Sequence, residues 1–172
     1  MDGYKTTPVG SVSEIRPLHS EQAAGGRGEA GGMERGATTT VAMDFGRITV
    51  HAGLSLYLFG MPGQDRFRFL WGELCAGALA AIVLAEARRV EDCLTAVDHF
   101  ERARVPFVVA VNLFPRAPDR TECDVARALG LERGTPVVLC DARDRTSGKE
   151  VLIRTVEYAG RVHTARLLAS LG

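Results

Sequence analysis

The sequence predicts an α/β fold in which a mostly parallel sheet lies between helices, with an antiparallel hairpin at one edge. Three short apolar runs without polar alternation, residues 78–84, 107–111 and 136–140, are typical of strands covered on both faces. Amphipathic stretches separate these runs, which indicates βαβ crossovers and a three-layer sandwich. The 172 residues, 46% of them hydrophobic and 24% charged, suit a single folded domain spanning residues 1–172.

The remaining elements follow from local patterns in the order of the chain. Residues 40–50 and 54–59 are two strand-like runs, and the short gap His51-Ala52-Gly53 between them predicts a hairpin. Apolar residues recur at helical spacing in three later segments. The predicted helices cover residues 91–104, 119–131 and 147–170.

The front of the chain is predicted to contain a long loop and to lack a strand. Between Glu21 and Ala37 there are six glycines, few large apolar residues and no apolar period. Residues 21–39 are therefore expected to form a flexible loop, since so few apolar side chains do not offset the entropy of ordering it. The first nine residues contain no apolar run, so the strand that normally leads such a fold is expected to be missing.

Composition excludes several classes of protein. With 21 basic and 21 acidic residues, the formal net charge is zero, which argues against a nucleic-acid binder. No apolar run is long enough to insert in a membrane, and the N-terminus has no apolar core of a secretory signal. The four cysteines form no Cys-x-x-Cys pair and fit reduced thiols rather than a zinc site or disulfides. A cytoplasmic protein is expected.

Four signatures follow one another along the chain. They are Lys5-Thr6-Thr7, the segment Thr38 to Phe45 (TTTVAMDF), the segment Leu58 to Phe67 (LFGMPGQDRF), and Val111 to Phe114 (VNLF) with Cys140 to Arg143 (CDAR). This order resembles the Ras-like small GTPases, which have a P-loop NTPase fold. It is most similar to the GTP/ATP-binding protein of actinobacterial conservon operons. The resemblance covers essentially the whole chain.

The resemblance implies GTP or GDP as the ligand, with Mg²⁺ at its phosphates. Lys5, Thr6 and Thr7 match the end of the phosphate loop, where Lys reaches the phosphates and Ser or Thr holds the metal. Thr6 and Thr40 are the implied Mg²⁺ ligands, Thr40 matching the threonine that ends the first switch. By the same resemblance, residues 21–39 correspond to a switch-I-like loop.

The resemblance also implies residues for hydrolysis and for the base. Gly63 and Gln64 match the Pro-Gly-Gln segment that faces the γ-phosphate and the attacking water, and Gln64 is the implied catalytic residue. Asn112 matches the asparagine of the guanine-reading motif. Asp141 and Ala142 lie where a Ser-Ala-Lys segment covers the base.

Three departures from the family pattern weaken these expectations. Tyr4 replaces the glycine before the phosphate-loop lysine, and the beginning of that loop is missing, so the P-loop is truncated and degenerate. Gly60 replaces the aspartate of the third motif. Pro115 replaces the aspartate that selects guanine over adenine.

Two functions therefore remain open. The first is a small GTPase-like signalling protein whose hydrolysis is slow or depends on a partner. The alternative is a pseudo-GTPase, a protein-binding module without nucleotide turnover. The implied partners are a roadblock-type protein and a sensor-kinase-like protein of the same operon, and recruitment to the membrane by a partner is expected.

Overall fold

The structure is a computed structural model of the chain that describes residues 9–14, 16, 18–24, 39–51, 53–61, 68–113, 115 and 117–172. The chain divides into two compact units, Met1–Phe67 and Arg68–Gly172. Each unit has its own three-stranded sheet. The single domain predicted for residues 1–172 stays a prediction, and the predicted absence of a leading strand concerns residues outside the described part of the chain.

The first unit contains an antiparallel sheet. Its strands are β1 (Leu18–Ala24), β2 (Thr39–His51) and β3 (Leu54–Gly60), in that spatial order. The turn between β2 and β3 includes Gly53, whose φ of 87° is one that a glycine adopts without strain. The predicted hairpin is therefore confirmed.

Strand β1 is an addition to the predicted elements. It pairs with β2 over seven residues, from Leu18 opposite Phe45 to Ala24 opposite Thr39. Both ends of the predicted loop 21–39 thus lie in strands, because pairing with β2 outweighs the weak strand propensity of the polar sequence LHSEQAA. Residues 25–38 lie outside the described residues, and the flexible loop stays a prediction.

A single helical turn at residues 9–12 lies against β2. Ser13 follows this turn and bonds to both backbone groups of Arg47: its Oγ accepts from the Arg47 N–H (3.2 Å) and donates to the Arg47 carbonyl (3.4 Å). Gly46 allows this approach, since a Cβ built there would lie 2.8 Å from Val9 Cγ1. The segment after the predicted phosphate-loop residues is thus held on the sheet.

The second unit is the predicted α/β arrangement. Its parallel sheet has the order β4 (Ala81–Glu86), β5 (Phe107–Asn112) and β6 (Val137–Cys140). Helices precede β4, connect β4 to β5 and β5 to β6, and follow β6. The α-helices are α1 (Arg68–Cys75), α2 (Leu94–Ala103), α3 (Glu122–Ala128) and α4 (Arg145–Ser170), with a 3-10 helix at Val90–Cys93 before α2.

The central strand β5 is the core of this unit. All six of its residues are buried, which confirms the prediction of a strand covered on both faces. Helix α4 packs against the sheet through Val151, which joins Ala110 of β5 and Cys140 of β6 in one apolar cluster. Strand β4 differs, since Leu84 is 41% exposed at this edge of the three-stranded sheet.

The start of the second unit also differs from the prediction. Helix α1 was not among the predicted elements, and Gly77, with a φ of 84°, turns the chain after it. Strand β4 consequently begins at Ala81 rather than at residue 78. Trp71 of α1 is 2% exposed and packs edge-on against His99 and parallel to Phe100, so it belongs to the core.

Candidate functional site

Asn112 is positioned by strand β5, all of whose residues are buried. It is the last residue of β5, where the apolar sequence FVVAV ends in an amide side chain that is 9% exposed. Its Oδ1 accepts a hydrogen bond of 2.9 Å from the Ala142 backbone N–H. Asn112 also pairs with Cys140, the last residue of β6, and Ala142 follows Cys140 by two residues. The hydrogen bond between Asn112 and Ala142 therefore lies at the carboxyl ends of adjacent parallel strands, where α/β proteins place ligands.

The loop after β6 has all its main-chain donors engaged. Besides Ala142, the Asp141 N–H donates to Ser147 Oγ (3.0 Å) and the Arg143 N–H to Asp141 Oδ1 (2.9 Å). The Asp144 N–H donates to the Asp141 carbonyl (3.0 Å). Asp144 in turn caps α4, accepting from the Ser147 N–H at 2.7 Å. The four consecutive amides of residues 141–144 are therefore satisfied within the chain.

The carboxylate of Asp141 is held by the Arg143 side chain. Arg143 Nε lies 3.0 Å from Asp141 Oδ1 and a terminal guanidinium nitrogen lies 2.9 Å from Oδ2, a two-pronged ion pair. These side-chain bonds and the Arg143 N–H lower the pKa of Asp141 to about 2. Asp141 is consequently an acceptor with three donors already around it.

In the first unit, Asp44 lies directly opposite Gly60 in the pairing of β2 with β3. Asp44 is buried, with 7% of its surface exposed. A Cβ built on Gly60 would lie 3.1 Å from Asp44 Cβ and 3.5 Å from Asp44 Oδ2. The Asp44 carboxylate thus occupies the space beside the position where the family pattern has its third-motif aspartate.

Asp44 is a functional candidate that the sequence reasoning missed. In the sequence it stands within the segment TTTVAMDF, to which the resemblance gives no role at this position. The available signal was the hairpin: opposite residues of an antiparallel pair share a face, so an aspartate on β2 can present its side chain beside a glycine on β3. Only the register, which the sequence did not specify, identifies that aspartate as Asp44.

The structure brings together only some of the predicted site residues. Asn112, Asp141 and Ala142 are neighbours in the second unit. Thr40 lies in β2 opposite Ala23, and its side chain is outside the described part. The other predicted residues also lie outside the described residues: Lys5, Thr6, Thr7, Gly63 and Gln64.

Two features of the described residues concern metal and membrane binding. Within them, no group of three or more His, Cys, Asp or Glu side chains could hold a metal ion. No helix in the described ranges is both long enough and apolar enough to cross a membrane.

Several solved structures have a fold similar to that of this chain. The cytosolic domain of the Thermotoga maritima FeoB iron transporter in a GDP form is similar over 92% of this chain, with a TM-score of 0.64 and 16% identity, and this chain spans 59% of that one. The T. maritima FeoB G domain has a TM-score of 0.61 and 20% identity, covering 90% of this chain and 91% of its own. The L. pneumophila FeoB cytosolic domain gives 0.55 and 15%, covering 87% and 64%.

These likenesses confirm the predicted P-loop GTPase-like α/β fold. No protein of curated function matches the sequence. Residues 4–162 match the sequence profile of a family described as conserved hypothetical ATP binding protein. Because the match covers most of the 172 residues, the chain belongs to this family of conserved hypothetical ATP binding proteins.

Proposed function

We propose that this protein is a small GTPase-like signalling protein of the conservon type that binds GTP and GDP with Mg²⁺. Its family is described as ATP binding, and the similar structures of the T. maritima FeoB cytosolic domain include a GDP form and a GMPPNP form. The observation that carries the proposal is the buried Asp44 carboxylate beside Gly60. It offers a Mg²⁺ site the acidic group that the motif sequence lacks.

The phosphates and the metal are assigned to residues of the first unit. Lys5, Thr6 and Thr7 would bind the phosphates, and Thr6 and Thr40 would ligate Mg²⁺. Asp44 would hold the water shell of the ion, which fits the oxygen chemistry that Mg²⁺ prefers. When bound, Mg²⁺ neutralises charge on the phosphates.

Hydrolysis is assigned to Gln64, with Gly63 placing a backbone N–H near the γ-phosphate. We expect turnover to be slow alone and faster with a partner, since no arginine can be assigned to the transition state from the described residues. The proposed partners are a roadblock-type protein and a sensor-kinase-like protein of the same operon, the second bringing this cytoplasmic protein to the membrane.

The test is equilibrium binding of fluorescent GTP and GDP analogues, with Mg²⁺ and with EDTA. We expect Mg²⁺ to strengthen binding of the GTP analogue, and Asp44→Asn to abolish most of that gain because the carboxylate charge is lost. Lys5→Ala should remove binding in either condition. Asp98→Asn, at an exposed helix position where the carboxylate forms an ion pair with Arg102, is the matched control and should bind normally.

A double variant that moves the carboxylate from β2 to β3 makes this test more specific. The double variant Asp44→Gly with Gly60→Asp returns one carboxylate to the same cross-strand pair, now on β3. It should recover Mg²⁺ dependence that Asp44→Gly alone lacks. Equal Mg²⁺ dependence in the wild type and in Asp44→Asn would refute the role of Asp44.

A second candidate function, a pseudo-GTPase that binds proteins without nucleotide turnover, is favoured by the loop after β6. The four amides of residues 141–144 already have acceptors within the chain. Because these N–H groups are already bonded, the loop offers a ligand no main-chain donor in this region. If neither analogue binds at millimolar concentrations with Mg²⁺, this second function replaces the first.

A further inference from the structure

Helix α4 has apolar residues on two opposite faces. One face packs on the parallel sheet and contains the buried residues of the helix, which are Val151, Leu152, Thr155 and Ala159. On the other face, Ile153 is 58% exposed and Leu167 is 61% exposed. A helix that only covers a sheet has polar residues on its outer side. The outer face of α4 is therefore suited to a contact with another molecule.

The exposed residues of this face lie in one line along the helix. Residues seven positions apart are two turns apart and point to nearly the same side of an α-helix. Ile153, Gly160 and Leu167 have this spacing, and all three are exposed. We call them the outer stripe. Leu171, which directly follows α4, is 77% exposed and extends the stripe by one further turn.

The outer stripe is complementary to a second copy of itself. Gly160 lies at its middle, seven residues after Ile153 and seven before Leu167. When two α4 helices cross antiparallel at Gly160, Ile153 of each copy lies opposite Leu167 of the other, as a two-fold axis requires. A glycine at the crossing also lets the two helix backbones approach closely, because it has no side chain to separate them.

Two charged residues beside the outer stripe fit the same arrangement. Glu157 and Arg161 are both exposed, and neither has an ion pair within the described part of the chain. Glu157 precedes Gly160 by three residues and Arg161 follows it by one, on the same side of the stripe. The antiparallel crossing therefore brings each carboxylate near the other copy's guanidinium. A negatively charged membrane surface, by contrast, would repel Glu157.

We infer that the outer stripe is the interface of a symmetric homodimer, in which the α4 helices of two copies pack antiparallel. The interface uses none of the residues assigned to the nucleotide, so the inference does not depend on nucleotide binding. Two crossing helices bury a small area for a specific interface, and small interfaces are typical of transient complexes. We therefore expect a reversible dimer with a dissociation constant in the micromolar range.

The first test is sedimentation equilibrium of the full chain from about 1 µM to about 1 mM. The chain should pass from monomer to dimer in this range. Leu167→Asp and Ile153→Asp should each weaken association by at least about tenfold, because a charge replaces an apolar contact made twice in the dimer. Leu54→Asp, at an exposed position of β3, is the matched control and should associate normally. A chain that stays monomeric throughout would overturn the inference, as would normal association of both α4 variants.

A charge exchange tests the two-fold arrangement itself. Glu157→Arg and Arg161→Glu each place like charges opposite one another, so each variant alone should be more weakly associated than the wild type. In an equimolar mixture, one chain supplies two positive groups and the other two negative groups, and a heterodimer should form. Both positions are exposed, so the fold should tolerate either substitution. Association no stronger in the mixture than in the separate variants would overturn the antiparallel crossing at these residues.

Gly160→Leu separates association from folding. A Cβ at Gly160 would meet no heavy atom within 4 Å, and leucine is the better helix former, so thermal unfolding should occur at the same temperature or higher. The side chain at the crossing should nevertheless keep the two helices apart and abolish the dimer. A dimer that persists in Gly160→Leu would overturn the inference. So would a monomeric wild type that binds vesicles of phosphatidylserine and phosphatidylcholine through Leu167, which would assign the stripe to a membrane.

Discussion

Replacing two glycines by alanine should have opposite effects on stability, although both glycines have room for a methyl group. Gly160 lies inside helix α4, and Gly130 lies in the turn after α3. A Cβ added at either position would meet no heavy atom within 4 Å. The backbone distinguishes them, because Gly130 has a φ of 62° and Gly160 has an ordinary helical conformation.

The magnitudes follow from these conformations. Gly160→Ala should raise the free energy of unfolding by about 1 kcal/mol, the difference between glycine and alanine in a helix interior. Gly130→Ala should lower it by about 1–2 kcal/mol, because a Cβ in the left-handed region lies too close to the following carbonyl. The two variants should therefore differ by about 2–3 kcal/mol, which corresponds to melting temperatures roughly 5–10 °C apart.

The assay is urea and thermal unfolding followed by tryptophan fluorescence. Trp71 is the only tryptophan in the sequence and is 2% exposed, so its signal reports the core of the second unit, which also contains both glycines. Two variants that shift stability in the same direction would refute the reasoning. So would a loss of stability in Gly160→Ala, which would show that this helical position has an unseen steric constraint.

Two further predictions concern titration and reactivity. Because Arg143 lowers the pKa of Asp141 from 3.8 to about 2, the stability from this ion pair is complete above pH 3.8 and is lost as the pH falls through about 2. Carboxyl-carbon NMR should show this midpoint, and Arg143→Gln should return it toward 3.8. A thiol reagent at mildly alkaline pH should modify the exposed Cys123 first, because burial raises the pKa of Cys93 and of Cys140 to about 11. A fast phase that persists in Cys123→Ser would contradict this order.

Much of the fold was predictable because the core strands carry a strong signal. The continuous apolar sequence FVVAV of β5 predicts a strand buried on both faces, and the structure buries all six residues of the strand. Strand β1 has no such pattern: LHSEQAA is mostly polar and forms a strand because β2 supplies its hydrogen-bond partners. Pairing with a distant segment is a tertiary effect that local propensity does not encode.

The candidate residues of the second unit were more predictable from the sequence than Asp44 of the first unit. The family resemblance implied Asn112, Asp141 and Ala142 as site residues, and parallel strands place their carboxyl ends at one edge, so these residues meet. It did not predict that Asn112 would use its oxygen on Ala142. The role of Asp44 depends on the register of β2 and β3, and one residue of slip would turn its side chain to the opposite face.

The spatial order of the parallel sheet has a consequence for how the second unit folds. The order β4-β5-β6 is also the order along the chain, so each strand pairs with the strand that precedes it. Ala81 pairs with Phe107 and Val109 with Val137, and each pairing closes a loop of fewer than thirty residues. Pairing each strand with its neighbour along the chain keeps both loops as short as a parallel sheet allows, which favours growth by successive addition of strands. Strand β5 participates in both pairings, so we expect substitutions there to slow folding, whereas substitutions in β6 should mainly speed unfolding.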